Sequence, residues 1–451
     1  MSTIGIVADD LTGATTVGVL LARSGISTAA FFNEKSVNNV KQHQAIVMCS
    51  DSRALPKKAA KEKVKSMVRV LKEEGTIHFS KRIDTTLRGG IGYEVDAMIE
   101  ELPSDTIAVM VPSMPQSNRI VVGGYSIIDG VALSKTPVAN DVRTPVTETY
   151  IPALLGKQTT HQIGLIQLGS VLSGKNVLKQ ALQSEREKGA KILIVDAITI
   201  EDVELIAQAV TELKWNVLAV DPGPFTEKLS LLRVSEQENV NFKKMVLQYK
   251  NNGTVLVIAG STTLVTKKQM EMLMQKEGTF HVPINVESLI DNQVSESEVQ
   301  RVAAEVCELI ENKKYNVILL ETALTSNILN LSAIEQKLGL AKGEAAKHII
   351  SGLGKIVAEA LNHREDEIRG IYMTGGDTMV NVLNMLGADG IELVDYVIPQ
   401  ADLGRIIGGK YNNLVVVGKG GLTGTEHTAI DIVNRIFEES GKINEMNAIE
   451  A

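Results

Sequence analysis

The sequence predicts an α/β protein of two α/β domains with mainly parallel sheets, and a functional site in the cleft between the domains. Its 451 residues exceed the roughly 250 to 300 residues at which a single hydrophobic core stops growing. Short β-branched runs alternate with longer amphipathic segments, which is the pattern of parallel strands joined by crossover helices. Polar and glycine-rich clusters follow several of these runs, where open α/β sheets bind their ligands.

The apolar, β-branched runs locate the strands. In the first half of the chain they predict strands over residues 3–8, 45–49, 76–79, 106–111, 163–167, 192–195 and 216–220. Helices are predicted between them, for example over 56–74 and 89–102. In the second half, strands are predicted over 254–259, 316–321, 371–373, 391–397 and 414–417. Helical patterns separate these strands, around 262–277, 297–312, 343–361 and 377–387.

A polar stretch separates the two halves of the chain. Residues 235–239 and 250–253 break the alternation of strands and helices, and they predict a linker. We therefore expect an N-terminal domain over residues 1–240 and a C-terminal domain over residues 250–451.

Composition and charge exclude several classes of protein. A hydrophobic content of 44% and a charged content of 22% are typical of a globular enzyme. The formal charge of -8 argues against a nucleic-acid binder, which needs a basic face. No apolar stretch reaches the roughly 18 residues of a membrane span, and the N-terminus lacks the basic region of a signal peptide. We expect a cytoplasmic protein with no nucleic-acid or membrane partner. A homodimer is the oligomeric state that we consider.

Three glycine-rich turns follow strands in the C-terminal half and open helices or loops. They are Gly260-Ser261-Thr262-Thr263, Thr374-Gly375-Gly376-Asp377-Thr378 and Gly418-Lys419-Gly420-Gly421-Leu422-Thr423-Gly424. Glycine permits close backbone approach, and free amides at a helix start favour an anion. Each turn also has a purely structural explanation, in which Ser261 or Thr262 caps a helix and Asp377 stabilises a helix start. Three such turns in one domain favour a phosphate site.

The phosphate site does not match the common nucleotide motifs. The chain contains neither a GxxxxGK[ST] P-loop nor a spaced GxGxxG. A Walker NTPase and a Rossmann dehydrogenase are therefore disfavoured. Asp377 is our candidate Mg²⁺ ligand, and Lys419 our candidate for neutralising phosphate charge.

Charged residues cluster after strands in the N-terminal half. Asp9 and Asp10 directly follow the first apolar run, where two carboxylates are costly to bury. One of them could cap the following helix while the other orients or deprotonates a hydroxyl group. A second cluster reads Lys81-Arg82-Ile83-Asp84-Thr85-Thr86-Leu87-Arg88-Gly89. With Arg53 and Arg119 it predicts a cationic pocket suited to a small hydroxy acid, because arginine forks onto planar carboxylates.

These elements, in this order, resemble the four-carbon acid sugar kinase family. The resemblance extends from the Asp9-Asp10 cluster to Lys419-Gly420-Gly421, and its most specific part is the cluster from Lys81 to Gly89. Such kinases use ATP to phosphorylate the 4-hydroxyl of tetronates such as D-threonate, D-erythronate and 3-oxo-tetronate. The resemblance implies an N-terminal domain that binds the acid and a C-terminal domain that binds ATP.

The resemblance also implies roles for particular residues. It implies that ATP contacts Ser261, Gly375, Gly376, Asp377, Thr378 and Gly421. The composition of the third glycine-rich turn adds Lys419 and Gly420 to these contacts. For the acid, the motifs and the resemblance together give Asp9, Asp10, Arg53, Lys81, Arg82, Ile83, Asp84 and Arg88.

The mechanism we expect is an in-line transfer of phosphate from ATP-Mg²⁺ to the acid, in a cleft that excludes water. Asp10 is the favoured catalytic base and Asp84 the second candidate. Arg53 and Arg88 would hold the substrate carboxylate, and Lys81 and Lys419 would offset charge on the transferred group. Two alternatives stay open at this point: a non-catalytic sensor of an acid sugar and a nucleotide, and a dinucleotide-dependent oxidoreductase.

Overall fold

The structure of the chain is a computed structural model, which describes residues 3–32, 34, 42–234, 253–322, 329–362 and 364–450, with 365 and 442–450 described by their backbone alone. The chain divides into two compact units, Met1–Phe242 and Lys243–Ala451. The linker residues 235–239 and 250–252 predicted from the sequence lie outside the described residues.

The described part of the N-terminal unit contains eleven strands. They are β1 (Ile4–Ala8), β2 (Thr28–Phe31), β3 (Ala45–Cys49), β4 (His78–Arg82), β5 (Ile107–Met110), β6 (Arg119–Val122), β7 (Tyr125–Ile128), β8 (Val131–Ala132), β9 (Ile163–Ile166), β10 (Ile192–Val195) and β11 (Val217–Asp221). Eight of them form a parallel sheet in the order β2-β3-β1-β4-β11-β5-β10-β9. The other three, β6 to β8, form a small antiparallel sheet.

Helices connect the parallel strands of the N-terminal unit. They are α1 (Leu11–Arg23), α2 (Lys57–Glu73), α3 (Ile91–Glu101), α4 (Ile151–Gly156), α5 (Leu168–Leu172), α6 (Lys175–Glu187), α7 (Ile200–Glu212) and α8 (Pro224–Val234). Every residue of β1, β3 and β10 is buried, as expected for a parallel sheet covered by helices on both faces. The core thus holds the strand ends, and the loops beyond them, in fixed positions.

The C-terminal unit is built on a mixed sheet. Its strands are β12 (Thr254–Ala259), β13 (Thr279–Val282), β14 (Val317–Glu321), β15 (Ile368–Thr374), β16 (Gly390–Ile398), β17 (Ala401–Ile407) and β18 (Val415–Lys419). In the order β13-β14-β12-β15-β18-β17-β16, the first five are parallel and the last two add antiparallel pairs. The helices are α9 (Leu264–Met274), α10 (Val286–Ile290), α11 (Ser295–Asn312), α12 (Leu331–Leu338), α13 (Glu344–Leu361), α14 (Gly376–Met385) and α15 (Thr428–Glu450).

The predicted fold class, α/β with mainly parallel sheets, is confirmed. One boundary differs in a way that matters for the site, because the strand predicted over 76–79 is β4, which ends at Arg82. Lys81 and Arg82 therefore belong to a central strand rather than to the loop after it. Strands β2, β13 and β17 and the small sheet were not predicted. Among the described residues, no helix is both long and apolar enough to cross a membrane.

Candidate active site

Three loops of the N-terminal unit meet at one edge of its sheet. Strand β1 lies between β3 and β4, and Ala8 is in register with both Cys49 and Arg82. The loops after these strands carry Asp9 and Asp10, residues 51–53, and residues 83–88. Because the carboxyl ends of neighbouring parallel strands share an edge, the charged residues of all three loops come together.

Arg53 is the hub of this cluster. Its Nε donates to Oδ2 of Asp9 at 2.7 Å and its Nη2 donates to Oδ1 at 3.1 Å. Its Nη1 lies 2.7 Å from Oδ2 of Asp10, and its Nη2 lies 3.5 Å from Oδ1 of Asp84. One guanidinium group thus pairs with three carboxylates, an arrangement that fixes all four side chains.

Arg82 fills the space beneath the two aspartates. Its Nη1 lies 3.5 Å from Oδ1 of Asp9 and 3.4 Å from Oδ1 of Asp10. A Cβ atom on Gly13 would lie only 1.9 Å from this same Nη1 atom. Gly13 is therefore required for the guanidinium group to enter the cluster.

Asp84 is the most constrained carboxylate. It accepts hydrogen bonds from Nε of Arg88 at 2.8 Å, from Nη2 of Arg88 at 3.2 Å and from Oγ1 of Thr86 at 2.5 Å. Burial alone would raise the pKa of Asp84, but Arg53 and Arg88 outweigh it and hold the pKa well below its usual value. Arg88 also reaches Asp141, whose Oδ2 lies 3.3 Å from its Nη1.

Asp10 differs from its two neighbours in access and in acidity. Its side chain keeps 26% of its surface exposed, against 5% for Asp9 and 7% for Asp84. Burial raises the pKa of Asp10 above its usual value, and Arg53 offsets this only in part because Asp9 adds a like charge. For Asp9, burial is outweighed by Arg53, Lys81 and Arg82, so its pKa is lowered. Asp10 is thus the accessible and more basic carboxylate.

Asp10 also settles which of the two adjacent aspartates caps helix α1. Its Oδ1 accepts a hydrogen bond from the backbone N–H of Gly13 at 2.7 Å, so it is the N-cap residue. The capping bond fixes Oδ1, while Oδ2 pairs with Nη1 of Arg53 at 2.7 Å. The capping explanation and the functional one therefore apply to the same residue.

Lys81 and Ile83 do not face the cluster opening. The Lys81 side chain is fully buried, and its Nζ lies 2.9 Å from Oε2 of Glu94 on helix α3. Glu94 is itself held by Oγ of Ser52 at 2.9 Å. Ile83 is buried in the core. The expectation that Lys81 contacts the substrate directly is not supported by this position, which instead makes the Lys81–Glu94 pair a support beneath Arg53 and Arg82.

Two residues in the left-handed region of the backbone flank the arginines. Asp51 has φ 46° and Leu87 has φ 57°, a region that L-residues other than asparagine and aspartate rarely adopt. Each precedes a guanidinium-bearing residue of the cluster by one or two positions. The strain therefore lies at Leu87, and such strain persists where surrounding contacts over-determine the backbone, as they do at functional sites.

A pocket of about 360 Å³ adjoins the cluster through Arg53. Besides Arg53, Leu87 and Gly89, it is lined by the loop of residues 143–148 and by Tyr93, Leu154, Lys157 and Gln158. Sequence reasoning missed this loop, which lies more than fifty residues after Arg88 and carries no motif. Arg119, which was grouped with the cluster, instead donates to the backbone oxygen of Ser117 at 2.6 Å.

The three glycine turns of the C-terminal unit also lie side by side. Strand β15 lies between β12 and β18, with Ala259 in register with Thr374, and Thr374 with Lys419. The backbone N–H of Gly260 donates to the Thr374 oxygen at 3.2 Å, and that of Gly375 donates to the Lys419 oxygen at 3.0 Å. The phosphate-type loops predicted from the sequence are thus brought together.

The first turn is not capped as the structural explanation assumed. Thr263, rather than Ser261 or Thr262, is the N-cap of helix α9, and its side chain accepts from the N–H of Thr266. Ser261 and Thr262 precede this N-cap, and Oγ of Ser261 donates to Oγ1 of Thr263 at 3.4 Å. The Oγ1 atoms of Thr263 and Thr266 also reach the Gly421 oxygen, at 2.5 and 3.0 Å.

The second turn opens helix α14. Gly375 has φ 106°, which favours glycine, and the helix begins at Gly376 with Asp377 exposed in its first turn. Amide groups of a first helical turn have no partner inside the helix. A Cβ atom on Gly260 would lie 2.1 Å from Oγ1 of Thr378, so the first and second turns are in close contact.

The third turn is held by Gln269, which sequence reasoning missed, and by Lys419. Nε2 of Gln269 donates to the backbone oxygens of Thr423 and Thr425 at 2.9 and 2.8 Å. Lys419 ends strand β18, and its Nζ donates to the oxygens of Gly420 and Thr423 at 2.8 and 3.2 Å. Burial lowers the pKa of Lys419 to about 8. In this position the ammonium group braces the loop.

An apolar pocket of about 250 Å³ begins at Gly260 and Thr262. Its walls include Val286, Leu331, Ala346, Ile349 and Ile350. Apolar pockets with a few polar groups at one end are typical of small-molecule sites. The turn Gly260–Thr262 thus lies between the other two glycine turns and this apolar pocket.

The acidic residues set a limit on metal binding. Within the described ranges, no group of three or more His, Cys, Asp or Glu residues could hold a metal ion. Mg²⁺ usually needs only one or two protein carboxylates, because phosphates and water complete its shell. The exposed Asp377 at the start of α14 fits that role.

Comparison with known proteins bears on each unit separately. A family model described as a sugar-binding N-terminal domain matches residues 4–229. A second, described as a nucleotide-binding C-terminal domain, matches residues 256–429. The two matches cover the acidic and arginine-rich cluster and the three glycine turns, respectively.

Relatives and solved structures resemble the chain over nearly its whole length. It is 36% identical to the D-erythronate kinase of Heliobacterium modesticaldum, covering 97% of this chain and 98% of the relative. It is 25% identical to the D-threonate kinase of Salmonella typhimurium, covering 96% and 98%. A Haemophilus influenzae protein superposes with a TM-score of 0.74 at 23% identity, covering 96% of this chain and 100% of the other, and shows the fold alone. The chain belongs to the four-carbon acid sugar kinase family.

Proposed function

We propose that this protein is an ATP-dependent kinase that phosphorylates the terminal, 4-hydroxyl group of a four-carbon sugar acid. The observation that carries the proposal is Asp10, a partly exposed carboxylate of raised pKa beside Arg53 and Arg82. D-erythronate is the first substrate to test, because the 36% identical relative is a D-erythronate kinase. D-threonate and 3-oxo-tetronate follow, since further relatives carry those names.

In this proposal the N-terminal domain, residues 1–240, binds the acid. Asp10 is the general base, because a raised pKa makes a carboxylate a better proton acceptor near neutral pH. Asp84 is the second candidate, but its lowered pKa and its bonds to Arg88 and Thr86 favour a role in positioning the arginines. Asp9, Arg53, Arg82 and Arg88 complete the contact surface.

Lys81 and Ile83 act through other residues. The buried Lys81–Glu94 pair supports the strand end that presents Arg82, and Ile83 anchors the same segment in the core. Breaking a buried ion pair by removing one partner costs about 3–5 kcal/mol, so the pair is sensitive to substitution. We assign both residues to positioning rather than to substrate contact.

The C-terminal domain, residues 250–451, binds ATP in this proposal. Its phosphates would contact Ser261, the first turn of α14 from Gly375 to Thr378, and Gly420 and Gly421, where backbone amides and a helix N-terminus favour negative charge. The apolar pocket beside Thr262 suits the adenine ring. Lys419 braces this loop and adds positive charge nearby. Mg²⁺, when bound, neutralises phosphate charge, and Asp377 is the residue that would hold it directly or through water.

The test is a coupled ADP-release assay with purified protein, ATP-Mg²⁺ and a panel of four-carbon acids. The panel contains both erythronates, both threonates and 3-oxo-tetronate. We expect ADP release that depends on one of these acids, with the product carrying phosphate on the terminal oxygen by mass spectrometry. Binding of an acid and of ATP without any acid-dependent ADP release would favour the sensor alternative. Preferential binding of NAD over ATP would favour the oxidoreductase alternative.

A further inference from the structure

The guanidinium groups of the arginine cluster are already committed to protein carboxylates. Arg53, Arg82 and Arg88 contribute three positive charges. They face four carboxylates, those of Asp9, Asp10, Asp84 and Asp141. The cluster therefore carries a net negative charge when all four are ionised. An anionic substrate needs a further cation nearby, because like charges at close range in a partly buried site repel strongly.

The adjoining pocket of about 360 Å³ offers three cations, and two of them are neutralised. Arg53 pairs with three aspartates. Nζ of Lys157 lies 3.4 Å from Oε2 of Glu148, and both residues line the pocket. Arg143 is exposed, and within the described part of the chain its side chain has no carboxylate partner. Among the described residues that line this pocket, Arg143 is therefore the cation whose charge no carboxylate neutralises.

The loop that carries Arg143 is tied to the arginine cluster. Oδ1 of Asp141 accepts hydrogen bonds from the backbone N–H of Arg143 at 3.0 Å and of Thr144 at 2.8 Å. Oδ2 of the same residue lies 3.3 Å from Nη1 of Arg88. Asp84, Arg88 and Asp141 thus form a chain of charge-assisted bonds that fixes where the loop leaves the cluster.

We propose that Arg143 binds the carboxylate of the sugar acid in this pocket and directs the opposite, hydroxyl-bearing end toward Asp10. This inference rests on the proposed function. Arg53 joins the two regions, since it lines the pocket and contacts Asp10 at 2.7 Å. The assignment replaces Arg53 and Arg88 as the principal carboxylate contacts, and it makes Arg143 a specificity-determining residue that distinguishes acids from neutral polyols.

The experiment compares wild type with Arg143→Gln, Arg143→Lys and the matched pocket variant Lys157→Gln. For each, isothermal titration calorimetry gives the Kd for D-erythronate, and steady-state kinetics give KM for the acid, KM for ATP and kcat. Erythritol, the four-carbon polyol without a carboxylate, is tested as a competitive inhibitor. Thermal unfolding confirms that the variants fold, which is expected because Arg143 is exposed.

We expect Arg143→Gln to raise the Kd and KM for the acid about tenfold to a hundredfold, the size of a lost charge-assisted hydrogen bond. KM for ATP should stay within about twofold, erythritol inhibition should not change, and Arg143→Lys should recover part of the affinity, because lysine keeps the charge but not the fork. Lys157→Gln should change the acid Kd less than about threefold, as exposed pairs contribute little.

Two results would overturn the assignment. An unchanged Kd for the acid in Arg143→Gln, with wild type active, would remove Arg143 from the acid site. A fall in kcat with an unchanged Kd for the acid would indicate that Arg143 contacts the transferred phosphoryl group and not the acid. Failure of the proposed function looks different, because wild type itself would then release no ADP with any acid of the panel.

Discussion

The two units build their candidate sites from different materials. The N-terminal site consists of charged side chains that pair with one another, with Arg53 contacting Asp9, Asp10 and Asp84. The C-terminal site consists of glycines, hydroxyl groups and backbone amides, and its one lysine, Lys419, is turned onto carbonyl oxygens of its own loop. Both stand at the carboxyl ends of neighbouring parallel strands.

This difference follows from what each site would recognise. A phosphate chain is the same in every reaction of a kinase, so fixed backbone amides suffice. A small acid must be distinguished from its stereoisomers, which needs directional side chains. We therefore expect substitutions in the N-terminal cluster to affect the acid and the chemistry, and substitutions in the glycine turns to affect ATP.

The largest effect should come from removing the proposed base, Asp10. Asp10→Asn keeps the size of the side chain but cannot accept a proton, and we expect kcat to fall about a hundredfold to ten-thousandfold, the usual contribution of a general base. The Kd for ATP should not change. The measurement is steady-state ADP release with calorimetry for each ligand. Near-normal turnover in Asp10→Asn, with Asp84→Asn inactive, would exchange the two roles.

The second effect concerns the support beneath the charged cluster. Lys81→Met leaves Glu94 buried without its cation, and we expect a loss of about 3–5 kcal/mol in the free energy of unfolding. The double variant Lys81→Met/Glu94→Met should recover most of this loss. Urea denaturation measures both. The control is the exposed pair of Lys175 and Glu212, where Lys175→Met should cost less than about 1 kcal/mol. Equal losses in Lys81→Met and Lys175→Met would show that the buried pair is not a support.

The third effect tests the glycine turns. A Cβ atom on Gly421 would lie 2.2 Å from Oγ of Ser261, whereas one on Gly420 would meet only Oγ1 of Thr423, at 3.2 Å. Displacement of groups in a binding site by about 1 Å can cost about a hundredfold, so we expect Gly421→Ala to raise KM for ATP by at least about tenfold. KM for the acid should be unaffected. The neighbouring Gly420→Ala is the matched control, and an equally large effect there would contradict the proposed packing.

The smallest effect is on pH dependence. Asp10 must be ionised to act as a base, and its pKa is raised by burial, so it protonates at a higher pH than an ordinary aspartate. The acid limb of kcat against pH should therefore lie above about 3.8, the usual pKa of the group, with activity lost as the pH falls through it. Gly421→Ala should leave this limb in place. If the acid limb of the kcat profile shifted in Gly421→Ala, the titrating group would belong to the nucleotide site and not to Asp10.

Much of the fold could be predicted because strands that are buried on both faces have continuous apolar sequences. The runs at 45–49, 192–195 and 254–259 coincide with β3, β10 and β12. Strand β2 was missed because its four residues include two alanines, which have weak strand propensity. The β16–β17 hairpin was missed because its turn has Gln400 at φ 68° rather than an Asn-Gly or Asp-Gly pair.

The site was predictable where its residues are local in sequence. The Asp9-Asp10 pair and the three glycine turns could be recognised because each directly follows an apolar run. The buried position of Lys81 could not be predicted. In the sequence, a solvated lysine in a charged run looks the same as a buried lysine that pairs with a glutamate on a neighbouring helix, as Lys81 pairs with Glu94. Arg143 was missed for the same reason, since its link to the cluster through Arg88 and Asp141 is a tertiary contact.

The division of labour between the units can be measured most directly by hydrogen exchange of the full-length protein with each ligand alone. D-erythronate should slow amide exchange most in peptides containing Asp10, Arg53, Leu87 and Arg143. A non-hydrolysable ATP analogue with Mg²⁺ should slow it most in peptides containing Ser261, Asp377 and Gly421. Protection of the C-terminal turns by the acid alone, with the N-terminal peptides unchanged, would contradict the account.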